Sequence, residues 1–262
     1  MAASGRRDRH DRMKLPASRS LTEPLLGFLY PECCQICGEA RAKAADGYVC
    51  AGCWRDVRFI RPPYCARCGL PFPGAVTDKA VCANCHDREL HFGSARAAVV
   101  AEGVALDVIH RFKYSRALWF EPFLADLLIR EAKPALTGAG WDLVVPVPLH
   151  PVKEREREFN QAARIGRRLA DALGIPMRTD LVARTEPTRT QTRLDRDERA
   201  ANVHRAFAPA CAADLGGASV VVVDDVLTTG ATADAVARVL VKMGAERVCV
   251  WSVARAVLTA PE

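Results

Sequence analysis

Eight cysteines fall into Cys-x-x-Cys pairs: Cys34 with Cys37, Cys50 with Cys53, Cys65 with Cys68, and Cys82 with Cys85. This spacing puts two thiolates on one side of a tight knuckle. Two knuckles complete a tetrahedral site for zinc, which binds sulfur without redox chemistry. Gly38 and Gly69 each follow a second cysteine, where a knuckle favours a residue tolerant of positive φ. Four knuckles give two four-thiolate sites. Consecutive pairing is the simplest arrangement, and interleaved pairing stays open. Cys33, beside Cys34, leaves open which of the two thiolates binds. A redox dithiol or an iron–sulfur cluster would be the competing chemistry, but a redox Cys-x-x-Cys normally comes singly, near a βαβ pattern. With four thiolates at each zinc and no position left for water, the metal's role reads as structural. Cys211 and Cys249 lie far from this region and read as small core residues.

A second constellation occupies residues 218–232. The run Val220, Val221, Val222, Val223 is what a strand buried on both faces requires. It ends in Asp224 and Asp225, at the carboxyl edge of a sheet, where open α/β folds place ligands. Two adjacent ionised carboxylates repel each other unless they bind two hydroxyls or a magnesium-bound diphosphate sugar. Thr228, Thr229, Gly230, Ala231 and Thr232 follow and lead into a helix. Hydroxyls, small residues and free N–H groups at a helix N-terminus make a pocket for a phosphate dianion. Gly230 lets the backbone approach closely. A Walker B element would need a Gly-x-x-x-x-Gly-Lys-Ser/Thr loop, and a dinucleotide site a Gly-x-Gly-x-x-Gly; the chain has neither. A plain strand–turn–helix with a threonine cap accounts for one threonine, not three with an acidic pair.

These residues need elements to hold them. Nine of the 11 cysteines lie between Cys33 and Cys85, in a stretch rich in Pro, Gly and Arg that reads as a small, loop-rich, stapled module. From about His91 the pattern changes. Strands are expected over 95–101, 142–147, 219–223 and 247–253, and helices over 104–114, 118–132, 159–173 and 231–243. Strands alternating with helices argue for an α/β domain with a parallel sheet. The expected division is a basic disordered tail over 1–20, a double zinc-ribbon module over 21–90 and the α/β domain over 91–262. The chain has 262 residues, 50% of them hydrophobic, enough for a full core. Its net charge of +6 suits anionic partners without distinguishing phosphorylated metabolites from nucleic acid. No apolar run is long enough to span a bilayer, and residues 21–30 are too broken for a signal peptide. The expectation is a cytoplasmic protein without membrane insertion, in a reducing compartment where cysteines favour metal over disulfides.

Residues 220–232 resemble the PRPP-binding signature of type I phosphoribosyltransferases. With the cysteine module, they resemble the ComF family of competence-associated phosphoribosyltransferase-like proteins over roughly residues 21–256. The resemblance implies a type I phosphoribosyltransferase-like parallel sheet with helices on both faces, plus a small N-terminal zinc-ribbon module. It implies that Asp224 and Asp225 contact ribose hydroxyls and that Thr228, Thr229, Gly230, Ala231 and Thr232 hold the 5-phosphate. Val147, Pro148, Leu149 and His150 follow a similar Val-Pro-x-Pro segment, and in type I enzymes the corresponding loop cradles the diphosphate. Arg155 and Arg157 could donate to phosphate oxygens, although the alternating 153–158 stretch also suits a salt-bridged helix start. Phe159, Asn160 and Gln161 match a family element, but Glu158 stands where the family has glycine. A carboxylate there repels a diphosphate unless it points away or pairs with Arg155 or Arg157. Phe112, Lys113 and Tyr114 also match a family element and fit a core helix equally well. Residues 184–204 correspond in order to a mobile hood, whose Gln191, Arg193 and Arg199 could reach the ligand on closure; a plain surface loop is the alternative.

The resemblance therefore implies Mg²⁺ with PRPP or a ribose-phosphate ligand, two structural Zn²⁺ ions, and a link to DNA uptake. Whether PRPP is turned over by an enzyme or only bound stays open, and no acceptor or general base can be read. The alternative is a non-catalytic single-stranded-DNA-binding competence factor whose pocket senses PRPP or nucleotide, acting with the DNA-uptake machinery. Its stacking candidates are Tyr48, Trp54, Phe59, Tyr64 and Phe72.

Overall fold

The structure, a computed structural model, describes residues 32–74, 80–186 and 205–257. From Cys33 onward the chain forms one compact unit. The strands are β1 (Ser94–Val100), β2 (Leu143–Pro146), β3 (Val182–Arg184), β4 (Phe207–Pro209), β5 (Ser219–Leu227) and β6 (Arg247–Arg255). The helices are α1 (Ala51–Arg55), α2 (Ala83–His86), α3 (Gly103–Tyr114), α4 (Glu121–Leu136), α5 (Pro151–Arg157), α6 (Gln161–Leu173) and α7 (Ala231–Lys242).

Four strands make a parallel sheet in the order β1-β6-β5-β2. The register sets Pro146 of β2 beside Val223 of β5, and Leu227 of β5 beside Arg255 of β6. Because side chains alternate along a strand, the valines of β5 split between two cores. Val221 and Val223 face a core with α3, α4 and α6. Val220 and Val222 face one with α7. Helices therefore cover both faces, as the uninterrupted valine run demands. α6 shows the matching helical pattern, burying Ala162, Ile165, Gly166, Leu169 and Ala170 and ending at left-handed Gly174. Gly166 lets it sit close to the sheet, since a Cβ there would lie 3.6 Å from Val144 and Val223.

The eight expected elements all form, with shifted ends. β5 runs to Leu227 rather than stopping at Val223, so Asp224 and Asp225 sit in the strand's last turn of pairing and not beyond it. The helix expected from 159 starts at Gln161 because Asn160 caps it, its side chain accepting from Ala163 N–H at 3.1 Å. The alternating 153–158 stretch does enter a helix, over Pro151–Arg157. The small antiparallel pair of β3 and β4 goes beyond the expectation and puts Arg184, the first residue of the expected hood, in a strand.

The cysteine module is joined to the sheet along the outer edge of β1. Ile60 N–H donates to Ala98, Val100 N–H to Arg58 and Ala95 N–H to Arg67, and Phe59 pairs with Val99. Val49, Cys50, Cys53 and Val57 share one core with Phe120, Phe123 and Leu127. Trp54 stacks on Phe59 at 6.0 Å and meets Phe123 edge-on at 5.3 Å. The module and the α/β part are thus continuous in packing, and Gly47 shows how close they come: a Cβ there would lie 2.8 Å from Phe123. No helix among the described residues is long and apolar enough to cross a membrane.

Candidate functional site

The eight thiols gather in two sets, Cys34, Cys37, Cys50, Cys53 and Cys65, Cys68, Cys82, Cys85, with all ligand atoms of a set within 4.8 Å of one another. This is the consecutive pairing. Cys33 stays out, bridged through its backbone to Arg41. Zinc–sulfur bonds of about 2.3 Å in a tetrahedron set sulfurs roughly 3.8 Å apart. Cys34 to Cys53 is 3.7 Å, Cys37 to Cys50 3.8 Å and Cys68 to Cys82 3.6 Å. The donors therefore fit the metal in both number and spacing.

Backbone amides support the sulfurs: Cys50 N–H points at Cys34 Sγ and Cys82 N–H at Cys65 Sγ, each at 3.3 Å. Burial opposes ionisation of Cys34, but N–H groups of Cys37, Cys50 and Ile36 outweigh it and bring the thiol down to about 6. The same contest brings Cys65 to about 7. Gly38 and Gly69 turn the knuckles at φ 74° and 69°. The two sets differ in shelter: all four cysteines of the second are buried, whereas Cys37 of the first is exposed.

The second site lies where β2 ends beside Val223 and β5 runs on past it. Val147 N–H donates to Val223 O and extends the pairing into the 147–150 loop. Asn160 holds that loop from α6 by donating to Val147 O at 3.1 Å. His150 caps α5, its Nδ1 accepting from Val152 N–H. Opposite, Asp225 is buried and Asp224 half-buried. Their carboxylates turn back on the chain, Asp224 accepting from Asp225 N–H at 2.8 Å and Asp225 from Val226 N–H at 2.6 Å. Burial, then the neighbouring Asp225 charge, push the Asp224 carboxyl up to about 7.

Lys113, near the end of α3, puts its Nζ 2.9 Å from Asp225 Oδ2, an ion-pair distance without hydrogen-bond alignment. Both side chains are nearly closed to solvent. Arg184, at the end of β3, lies over the Phe207 ring at 5.3 Å; burial pulls its guanidinium down and Asp224 pushes it back up. After β5, Thr228 and Thr229 are exposed and Gly230 takes φ 84°, ψ −3°. No side chain caps α7, and Ala231 N–H has only a 3.4 Å contact to Thr229 Oγ1. The first turn of the helix, with Thr232 half-buried in it, therefore opens toward the 228–230 loop. Asp234 in that turn is buried and accepts from His91 N–H at 2.6 Å, fixing the helix start to the chain leaving the cysteine module.

Asp224 and Asp225 thus follow Val223, to which the 147–150 loop is bonded through Val147, and residues 228–232 follow β5. Arg155 is exposed on α5. Arg157 lies over the Tyr114 ring at 5.2 Å. Glu158 does not pair with Arg155 or Arg157. It takes φ 68° as the left-handed residue closing α5, and its carboxylate binds Arg116 Nη1 at 2.8 Å. The glycine of the family pattern is explained by that backbone angle, which costs a side chain strain. Gln191, Arg193 and Arg199, and the tail over 1–20, lie outside the described residues. The pattern left Lys113 undecided, took Arg184 only as the start of the expected hood, and did not mark the His91–Asp234 contact. Lys113 needed the register of α3 against β5; the others needed the tertiary fold.

A parallel sheet carrying an acidic pair and a helix-start loop, edged by two four-thiol knuckle sets, defines a phosphoribosyltransferase-type domain with a double zinc ribbon. Residues 25–86 match the Double zinc ribbon domain and residues 160–260 the Phosphoribosyl transferase domain. Competence protein F of Haemophilus influenzae is 31% identical over 81% of this chain and 92% of its own length. The DNA utilization protein YhgH of Salmonella typhimurium is 30% identical over 86% and 97%, and that of Escherichia coli 31% over the same shares. A solved glutamine PRPP amidotransferase from B. subtilis aligns over 49% of this chain and 25% of its own, at 22% identity and a TM-score of 0.33. The chain belongs to the ComF family, with those competence and DNA utilization proteins.

Proposed function

We propose that the groups at the end of β5 and the start of α7 bind PRPP, with Mg²⁺, or a related ribose 5-phosphate ligand. The observation that carries this is the order of groups along one strand–loop–helix: a crowded carboxylate pair, a left-handed glycine and an uncapped helix start. Asp224 and Asp225 take the ribose hydroxyls. Thr228, Thr229 and Thr232, with the N–H groups of Gly230 and Ala231, take the 5-phosphate. The 147–150 loop and Arg155 would take the diphosphate. Mg²⁺ supplies charge neutralisation to the diphosphate when bound. Lys113 fixes the place of the Asp225 carboxylate before a ligand arrives. In turnover, departure of diphosphate from C1 would rest on electrostatic support of the leaving group and of the cation at C1.

The names of the relatives support a role in competence or DNA utilization for this chain too. The reading as a single-stranded-DNA-binding factor draws less support from its stacking candidates. Trp54 and Phe59 pack against the core, and Phe72 against the second cysteine set. Tyr64 lies under Arg96.

Calorimetric titration of PRPP with Mg²⁺ into the wild-type chain, Asp224→Asn and Asp225→Asn tests the pocket. Binding by wild type and at least about a tenfold loss in both variants is expected, since each removes a charged hydrogen-bond acceptor. No binding by wild type sinks the reading. Diphosphate release across a panel of nitrogen acceptors then separates turnover from binding alone.

A further inference from the structure

We propose that Arg255 is the outer-shell cation of the second cysteine set, and that it makes this set the tighter and slower-exchanging of the two zinc sites. Arg255 ends β6 and is 3% exposed. An arginine cannot shed its charge, so a buried one requires an anion. No carboxylate lies at ion-pair distance from it among the described residues. Its Nη2 instead donates to Cys68 Sγ at 3.5 Å, while Nε and Nη1 are buried with no partner there.

The anion is the sulfur cluster. Zinc with four thiolates carries a net charge of −2, and all four cysteines of this set are buried. One guanidinium within contact of a sulfur offsets half of that charge. The requirement runs both ways: the cluster needs the cation and the cation needs the cluster. Outer-shell donors of this kind commonly change metal affinity 10–100-fold.

The first set is built differently. Cys37 is exposed, so water can share its charge. Arg111, which reaches the first knuckle, donates to the Gln35 carbonyl. Arg67, on the second set's side, also donates to carbonyls, those of Cys85 and Arg88. Among the described residues, a guanidinium reaches sulfur only at Cys68.

The test is zinc removal by a chelator from the full, zinc-loaded chain, with thiol alkylation mapped by mass spectrometry through time. In wild type, Cys34, Cys37, Cys50 and Cys53 should label first, and Cys65, Cys68, Cys82 and Cys85 at least about tenfold later. Arg255→Met keeps the apolar stem and removes the charge. It should speed labelling of the second set about 10–100-fold and leave the first unchanged. Arg255→Lys keeps a charge without the planar fork and should speed it by a smaller factor. It also carries the test if the methionine variant does not fold. Val250→Ala, on the same strand but in the core with α7, which holds none of the eight cysteines, controls for general loosening and should not favour one set. The proposal is overturned by equal labelling of the two sets in wild type, by an unchanged second set in both arginine variants, or by equal acceleration of both sets.

Discussion

Asp224 holds its proton to about 7, mainly through burial and the Asp225 charge. An unfolded aspartate titrates near 4 (roughly). The folded chain therefore binds more protons between those values, and stability falls as pH rises through that window and levels off above it. Asp224→Asn removes the charge and keeps an oxygen for Asp225 N–H. The variant should be more stable than wild type at pH 8, on the order of 2 kcal/mol, with the gap closing toward pH 5. Melting both proteins across that range checks it, and a pH-independent gap counts against the titration. The same residue should make PRPP affinity rise from pH 6 to pH 8, because the ionised carboxylate is the better acceptor for ribose hydroxyls. Glu158→Gly is expected to stabilise by about 1 kcal/mol: it relieves the left-handed strain, and the exposed Arg116 pair it loses is worth little. Denaturant melts read that directly.

At the scale of elements, the signal strength of each segment decided what could be read. The valine run with its acidic end and the four knuckles gave β5 and both metal sets, because burial on two faces and tetrahedral thiolate geometry leave few alternatives. The three-residue strands β3 and β4 carry too few residues for any period. The helix α5 stayed one of two alternatives because its alternating charges suit solvent in any conformation. It forms because Pro151 starts it, His150 caps it and Glu158 closes it. Least legible was the pairing of the module with β1, which depends on main-chain groups of irregular segments. Gly69 tests that joint. It takes φ 69°, and a Cβ would lie 2.7 Å from the Ala95 carbonyl. Gly69→Ala should cost on the order of 2–3 kcal/mol through strain and displacement of β1, whereas Gly38→Ala, with open space around it, should cost less. Equal losses in denaturant melts would mean that only the backbone angle matters.

Across the whole molecule, the core around Phe120 and Phe123 receives Cys50 and Cys53 as well as the sheet valines. The metals therefore support more than their knuckles. Stripping both should lower the melting temperature by at least about 10 °C and bring on aggregation, since four-thiolate zinc carries folding free energy and a bared sheet edge recruits other chains. Calorimetry with light scattering, before and after chelation, measures both; an unchanged melt would make the module a passive appendage. The cover on β1 also has a meaning in time. As the chain leaves the ribosome, the knuckles emerge first and β1 next, while β6, its partner in the sheet, comes last. Through most of synthesis β1 has no neighbour of its own sheet. Residues 58–60, made just ahead of it, offer main-chain groups at once. The module thus gives β1 a main-chain partner close in sequence, beside the distant one it has in β6.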